Sequence, residues 1–153
     1  MAEFAALGES VVPWVVAVPY ETFEGYVAMF KNAANGVDLT EGYVPHSTFW
    51  LVMNDQILGV SNLRHRVTEE LLRYGGHIGF GIRPSARRRG YGAELLRATL
   101  LEAGKLGLRR LRVTCDRNNA ASARTIVSNG GELDSEEFIP ERNRVISRYW
   151  IQI

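Results

Sequence analysis

The stretch His77-Ile78-Gly79-Phe80-Gly81-Ile82-Arg83-Pro84, followed after Ser85-Ala86 by Arg87-Arg88-Arg89-Gly90-Tyr91-Gly92-Ala93, decides how this chain reads. Gly76 to Pro84 is a strand whose glycines permit close approach of another backbone or a ligand, and Pro84 stops its pairing. From Gly90 a helix follows, with Leu96, Thr99, Leu100 and Ala103 on one stripe and Gly104 and Gly107 near its end. Leu108 to Cys115 is the next strand, where Leu111, Val113 and Cys115 alternate with Arg110, Arg112 and Thr114. A strand–helix–strand crossover therefore lies at the centre of the chain.

The flanks complete an α/β (α+β) pattern. Upstream, Val11 to Val18, broken by Pro13, reads as an edge strand or strand start, and Glu21 to Ala34 as a helix stopped by Gly36. Thr48 to Met53 and Ile57 to Val67 form a hairpin about Asn54-Asp55, and Thr68 opens one or two helical turns. Downstream, Asn119 caps a short helix that Gly130-Gly131 ends, and Glu132 to Ile139 with Arg144 to Ile153 make a closing hairpin. Neither a repeat nor a linker divides residues 1–153, which read as a single domain.

Composition narrows the function. Eighteen Lys+Arg against 17 Asp+Glu leave a net charge of +1, which argues against a protein built to coat nucleic acid or an acidic membrane. The longest uncharged run, Gly42 to Asn54, falls short of the roughly 20 residues of a membrane helix. With no basic residue before Lys31, the start of a secretory signal is missing, and the expected location is the cytoplasm. The single cysteine, Cys115, makes neither an internal disulfide nor a thiolate zinc site, and it reads as a small buried hydrophobe. His46, His65 and His77 lack ligand spacing, so no metal is expected.

The segment Arg87 to Ala93 carries the chemistry. A glycine-bearing loop that feeds a helix start exposes unpaired N–H groups at the positive end of the helix dipole. Gly90 and Gly92 let the backbone approach a bulky anion, and three arginines add positive charge, which makes a phosphate or pyrophosphate cradle. Two familiar phosphate loops fail here. Gly92 is followed by Ala93-Glu94 rather than Lys-Ser/Thr, and Gly90-x-Gly92-x-x-Leu95 lacks the third dinucleotide glycine.

The run Arg87-x-x-Gly90-x-Gly92, set between that strand and helix and followed by Asn119-x-x-Ser122 and Asn129-Gly130-Gly131, resembles the GNAT superfamily of N-acetyltransferases. The resemblance covers roughly Thr48 to the C-terminus. It implies a mixed, mostly antiparallel twisted sheet flanked by helices, with a V-shaped splay between two strands. It implies that Arg87, Arg88, Arg89, Gly90, Tyr91, Gly92 and Ala93 hold the coenzyme A pyrophosphate. It further implies that Phe80-Gly81-Ile82 pairs with the pantetheine arm, and that Asn119, with Ser122 in the same motif, contacts that arm or caps the helix beside it. The resemblance implies, last, that a primary amine of a small molecule or peptide attacks acetyl-CoA directly in a ternary complex.

One position departs from the family pattern. Where many members carry a proton-donating tyrosine, this chain has Ile126, so the general acid is unassigned, with Tyr149 as a substitute. For the general base the resemblance points to His77, which shares a strand face with Gly79 and Gly81. Glu69 and Glu70 are its rivals, with His65 behind them. The acceptor groove is expected from Glu21–Ala34 and Val67–Gly76. An acyl-CoA sensor without efficient turnover is the alternative reading, and a small nucleic-acid-binding domain the third. The acceptor and acyl length stay open, as does the oligomeric state, for which a homodimer is allowed.

Overall fold

A computed structural model of the chain describes residues 2–153. Its elements, in chain order, are α1 (Ala2–Ala6), α2 (Phe23–Ala34), β1 (His46–Met53), β2 (Gln56–Arg64), α3 (Glu69–Tyr74), β3 (Ile78–Ile82), α4 (Tyr91–Lys105), β4 (Arg110–Asp116), α5 (Ala120–Val127), β5 (Glu132–Ile139) and β6 (Arg144–Gln152). The strands form one six-stranded sheet in the order β1-β2-β3-β4-β6-β5. Every neighbouring pair is antiparallel except β3 with β4. Among the described residues no helix is long and apolar enough to cross a membrane.

Local chemistry explains the punctuation. Asn54 and Asp55, at φ 49° and 58°, take the left-handed conformations of a tight hairpin turn between β1 and β2. Thr22, Thr68 and Asn119 accept from Gly25, Leu71 and Ser122 N–H groups at 3.1, 3.2 and 3.0 Å, which caps α2, α3 and α5. β-Strand alternation then sorts the sheet into two faces. One carries Leu63, Ile78, Leu111, Val113, Tyr149 and Ile151, which pack with Leu96, Leu100 and Ala103 of α4 and with Ile126 of α5. Two buried hydroxyls cross this core. Thr99 donates to the Leu95 carbonyl at 2.7 Å, so its oxygen receives the Ser61 hydroxyl at 2.6 Å, and neither group is orphaned.

The opposite face is more polar. α2 covers its β1 end, where the Tyr26 ring stacks on Trp50 at 6.2 Å and the Tyr26 hydroxyl donates to the Val16 carbonyl. Farther along, Arg148 pairs with Glu137 and Arg112 with Asp134, while the guanidinium groups of Arg110 and Arg112 lie over the Trp150 ring at 4.1 and 4.0 Å.

The parallel joint is where the sheet opens. Ile78 opposite Val113 is the one register pair between β3 and β4. It is reinforced from His77, whose N–H donates to the Arg112 carbonyl at 2.6 Å and whose Nδ1 accepts the Arg112 N–H at 2.9 Å. Gly76 precedes this clasp at φ 65°, and a Cβ there would come within 2.6 Å of the Arg112 oxygen, so only glycine brings the chain in. Beyond Ile78 the strands part.

Val11 to Val18 is not the edge strand that its β-branched content suggested. A short 3₁₀ turn occupies Trp14–Ala17, and the segment crosses the polar face of β3 as a strap. Its seat is Gly79 and Gly81: an added Cβ at Gly79 would touch Pro13 at 3.5 Å, and one at Gly81 would collide with the Val12 carbonyl oxygen. The close backbone approach that these glycines allow is thus made by the chain itself. Two bounds also shift: β1 starts at His46, and β2 ends at Arg64 rather than Val67.

Gly81→Ala drives a methyl into the strap and should destabilise the fold by roughly 1–3 kcal/mol, read from urea unfolding; unchanged stability would unseat the strap from β3. A pH effect follows from the histidines. Burial holds His46, His65 and His77 below the ordinary histidine pKa, so the unfolded chain takes up more protons than the native one as pH falls through about 6.5. Their stabilisation is complete above that value and is lost below it. The urea midpoint should fall between pH 7.5 and 5.5, and the fall should shrink in His77→Gln; a midpoint flat over this range contradicts the assignment.

Candidate active site

The gap between β3 and β4 is bounded by main chain on one side. The His77 carbonyl and the Arg83 N–H bond to β2, at 2.8 Å from Arg64 N and 2.9 Å from Leu58 O. Alternation along the strand sends the polar groups of Ile78, Phe80 and Ile82 the other way, towards β4. Ile78 is matched there, and the Ile82 carbonyl accepts Arg87 Nε at 3.1 Å. Phe80 lies between them with no register partner on β4, while its ring packs on the core. Cys115 faces that core from β4, half-buried; burial, with Asp116 and Glu136 nearby, pushes its thiol up to about 11.

The gap leads to the start of α4. After a 3₁₀ turn at Pro84–Ala86 the chain passes through left-handed Arg88 (φ 60°) and Gly90 (φ 82°). Gly90 caps α4 with no side chain, and the first helical bond is Glu94 N to Gly90 O, so the N–H groups of Tyr91, Gly92 and Ala93 have no partner within the helix. Arg88 and Arg89 are exposed, and neither forms an ion pair among the described residues. Gly92 borders the gap: an added Cβ would meet Thr125 at 3.5 Å and Ile82 at 3.8 Å, ordinary contact that a β-branched side chain would exceed.

Arg87 stands apart from the other two arginines. Besides Ile82 O, its guanidinium grips the Glu9 carboxylate, with Nη1 at 2.8 Å from Oε1, and sits over the Phe4 ring at 5.4 Å. Glu3 pairs with Arg83 and accepts from Ser85 N and Oγ at 2.9 and 3.1 Å, bonds that bring its pKa down to about 2. Glu3, Phe4 and Glu9 escaped the sequence reading, because only the three-dimensional path of the strap brings them to a loop some eighty residues away. Asn129 was visible only as part of a helix-end motif. Its Nδ2 donates to the carbonyls of Thr125 (3.0 Å) and Ala93 (3.3 Å) and ties α5 to the first turn of α4.

The residues expected to catalyse are dispersed. His77 is only 7% exposed, and its Nδ1 lone pair is committed to Arg112 N–H, so in the neutral ring Nε2 carries the proton. Glu69 and Glu70 are exposed on α3, and Glu70 accepts the Tyr74 hydroxyl. His65 Nε2 is bonded to Ser47 Oγ at 2.9 Å. Tyr149 and Ile126 are both buried in the core. Asn119 and Ser122 meet through the α5 cap, and the cap bond uses Asn119 Oδ1.

Comparison with known proteins agrees with this architecture. A family model described as an acetyltransferase (GNAT) domain matches residues 2–132. Among solved structures, yncA of Salmonella typhimurium, a putative acetyltransferase solved with its cofactor acetyl-CoA, is 15% identical, with a TM-score of 0.64 over 99% of this chain and 83% of that one. An N-acetyltransferase from Staphylococcus aureus Mu50 is 17% identical, with a TM-score of 0.64 over 99% and 87% of the two chains. A chimera of the Vibrio cholerae spermidine N-acetyltransferase SpeG with hSSAT is 16% identical, with a TM-score of 0.60 over 88% and 78%. No curated protein matches the sequence. At such identities the solved structures speak for the fold, and the family model, which spans most of the chain, settles the rest: the protein belongs to the GNAT acetyltransferases.

Proposed function

We propose that this chain transfers the acetyl group of acetyl-CoA to a primary amine by direct attack in a ternary complex. The observation that carries the proposal is the unpaired stretch of β3 around Phe80, which runs into the partnerless N–H groups of Tyr91, Gly92 and Ala93. An extended amide-bearing arm has donors and acceptors to match Phe80, and a pyrophosphate matches the helix start. Arg88 and Arg89 supply mobile charge, whereas Arg87 contributes through the loop backbone that it pins. Asn119 and Ser122 shape the end of α5 beside the same gap.

In the step itself the amine nitrogen adds to the thioester carbonyl. The tetrahedral intermediate expels the coenzyme thiolate, and the nitrogen gives up its proton. His77 would accept that proton at Nδ1 only by breaking the Arg112 bond, and Glu69 and Glu70 sit on an exposed helix turn. We therefore assign proton removal to solvent, with a thiolate of pKa about 8.5 leaving without a tyrosine donor. A mutation pattern follows. Gly92→Val pushes methyl groups against Thr125 and Ile82, displaces the first turn of α4 with its free N–H groups, and should sharply weaken CoA binding in calorimetry; wild-type affinity would refute the loop assignment. The double change Arg88→Ala/Arg89→Ala should weaken binding by about tenfold, more at low salt than at high.

Direct transfer also predicts the fate of Cys115. A thiol raised to about 11 has almost no thiolate at neutral pH, so no acyl-enzyme should form on it. Cys115→Ala should retain most turnover in a thiol-release assay. Parallel double-reciprocal lines with an acetylated Cys115 in mass spectra would overturn the ternary-complex reading. Tight CoA binding with no thiol released to any amine would favour an acyl-CoA sensor, the reading that the buried Ile126 supports.

A further inference from the structure

The polar face of the sheet holds an open cavity of about 580 Å³ between α2, the strap and the Val37–Tyr43 segment. Its place relative to the gap follows from contacts. Pro13 rests on Gly79, and the next two residues, Trp14 and Val15, are cavity wall. On the sheet side His46 lines it; Asn62 on β2 donates to His46 Nδ1 at 2.8 Å, and Asn62 is the register partner of Gly79 on β3. The sheet wall of the cavity, on β1, thus lies two strands from β3, and the strap carries its other wall to Gly79, at the narrow end where β3 and β4 still touch.

The walls are apolar and rich in aromatic rings. Trp14 meets Tyr43 edge-on at 5.1 Å, and Met29, Phe30 and Leu39 add to them. Among the lining residues the single formal charge is Asp38. One of its oxygens accepts Asn32 Nδ2 at 2.9 Å, and the other has no protein partner among the described residues. His46 is held neutral by burial, and no lysine or arginine lines the space.

We infer that this cavity is the acceptor site and selects an amine with one positive charge on an apolar, preferably aromatic, body. The inference rests on the acetyltransferase reading and deepens it. One carboxylate and several ring faces favour an alkylammonium. A carboxylate on the acceptor would meet Asp38, and no lysine or arginine is among the lining residues, which disfavours free amino acids. A polyamine would bring further ammonium groups into an apolar wall with no partner for them. The size suits the reading, because ligand cavities span roughly 300–1,000 Å³.

The test compares three acceptors on the intact chain with saturating acetyl-CoA, read as thiol release. 2-Phenylethylamine and phenylalanine differ only by a carboxylate, and spermidine supplies extra charge without a ring. The expected kcat/KM for phenylethylamine exceeds that for phenylalanine by about fivefold and that for spermidine by about tenfold. Asp38→Asn keeps the left-handed backbone at φ 55° and the Asn32 bond, and should raise the KM for phenylethylamine about fivefold with CoA affinity unchanged. Val37→Trp, from an exposed lining position, should penalise phenylethylamine more than methylamine. Preference for spermidine or phenylalanine, or an Asp38→Asn enzyme identical to wild type, overturns the inference and leaves the acetyltransferase standing. Absence of thiol release with every amine overturns both.

Discussion

A double hydrogen bond between His77 and the Arg112 backbone holds two parallel strands together at a single level, and most of what is distinctive in this fold follows from it. A parallel pair normally propagates, because each bond formed brings the next donor and acceptor into range. Here the clasp comes at the entry to β3, Ile78 meets Val113, and the pairing goes no further. β3 keeps its other edge on β2 through Ile82, so the open edge stays straight while β4 follows β6 away. The cost is one strand edge with unpaired amides. The gain is a slot with fixed donors and acceptors, made before any ligand arrives.

The strap answers a second problem that the same edge creates. Glycines at Gly79 and Gly81 leave β3 without side chains on its polar face, and a bare strand is a weak wall. Val12 and Pro13 cover it, and Glu3 and Glu9 fasten the covering segment to Arg83, Ser85 and Arg87. These are half-exposed ion pairs whose individual worth is small. Their significance is positional: the residues that cover β3 and wall the polar-face cavity are tied to the loop at the start of α4.

Much of this was legible in the residues, and the failures share one cause. The hairpin turn at Asn54-Asp55, the caps at Thr68 and Asn119, and the crossover from β3 through α4 to β4 are set by neighbours in sequence, and they appear where pattern and capping chemistry place them. Val11 to Val18 misled because β-branched residues favour extended backbone, yet a strand also needs a free edge to pair with. The polar face of β3 offers glycines, not an edge, so the segment packs instead of pairing. His77 misled for a related reason. It lies just ahead of β3, and its side chain turns back onto the neighbouring Arg112 backbone, which no periodicity reports.

The remaining step concerns proton transfer, where this chain has fewer groups to spare than its family pattern suggests. Each histidine has a ring nitrogen committed: His46 Nδ1 to Asn62, His65 Nε2 to Ser47, His77 Nδ1 to Arg112. Ile126, which the resemblance sets at the family's tyrosine position, is buried in the core beneath α5, and Tyr149 is packed into that same core. On the proposed function, a site built this way would accelerate by holding two reactants in line rather than by moving protons. An amine that is already partly deprotonated needs no more than that, and its attack on a thioester releases a weakly basic thiolate. On the proposed function, the arrangement of β3, the α4 start and the strap would place selectivity in shape and charge around the acceptor, with the chemistry left to the reactivity of the thioester itself.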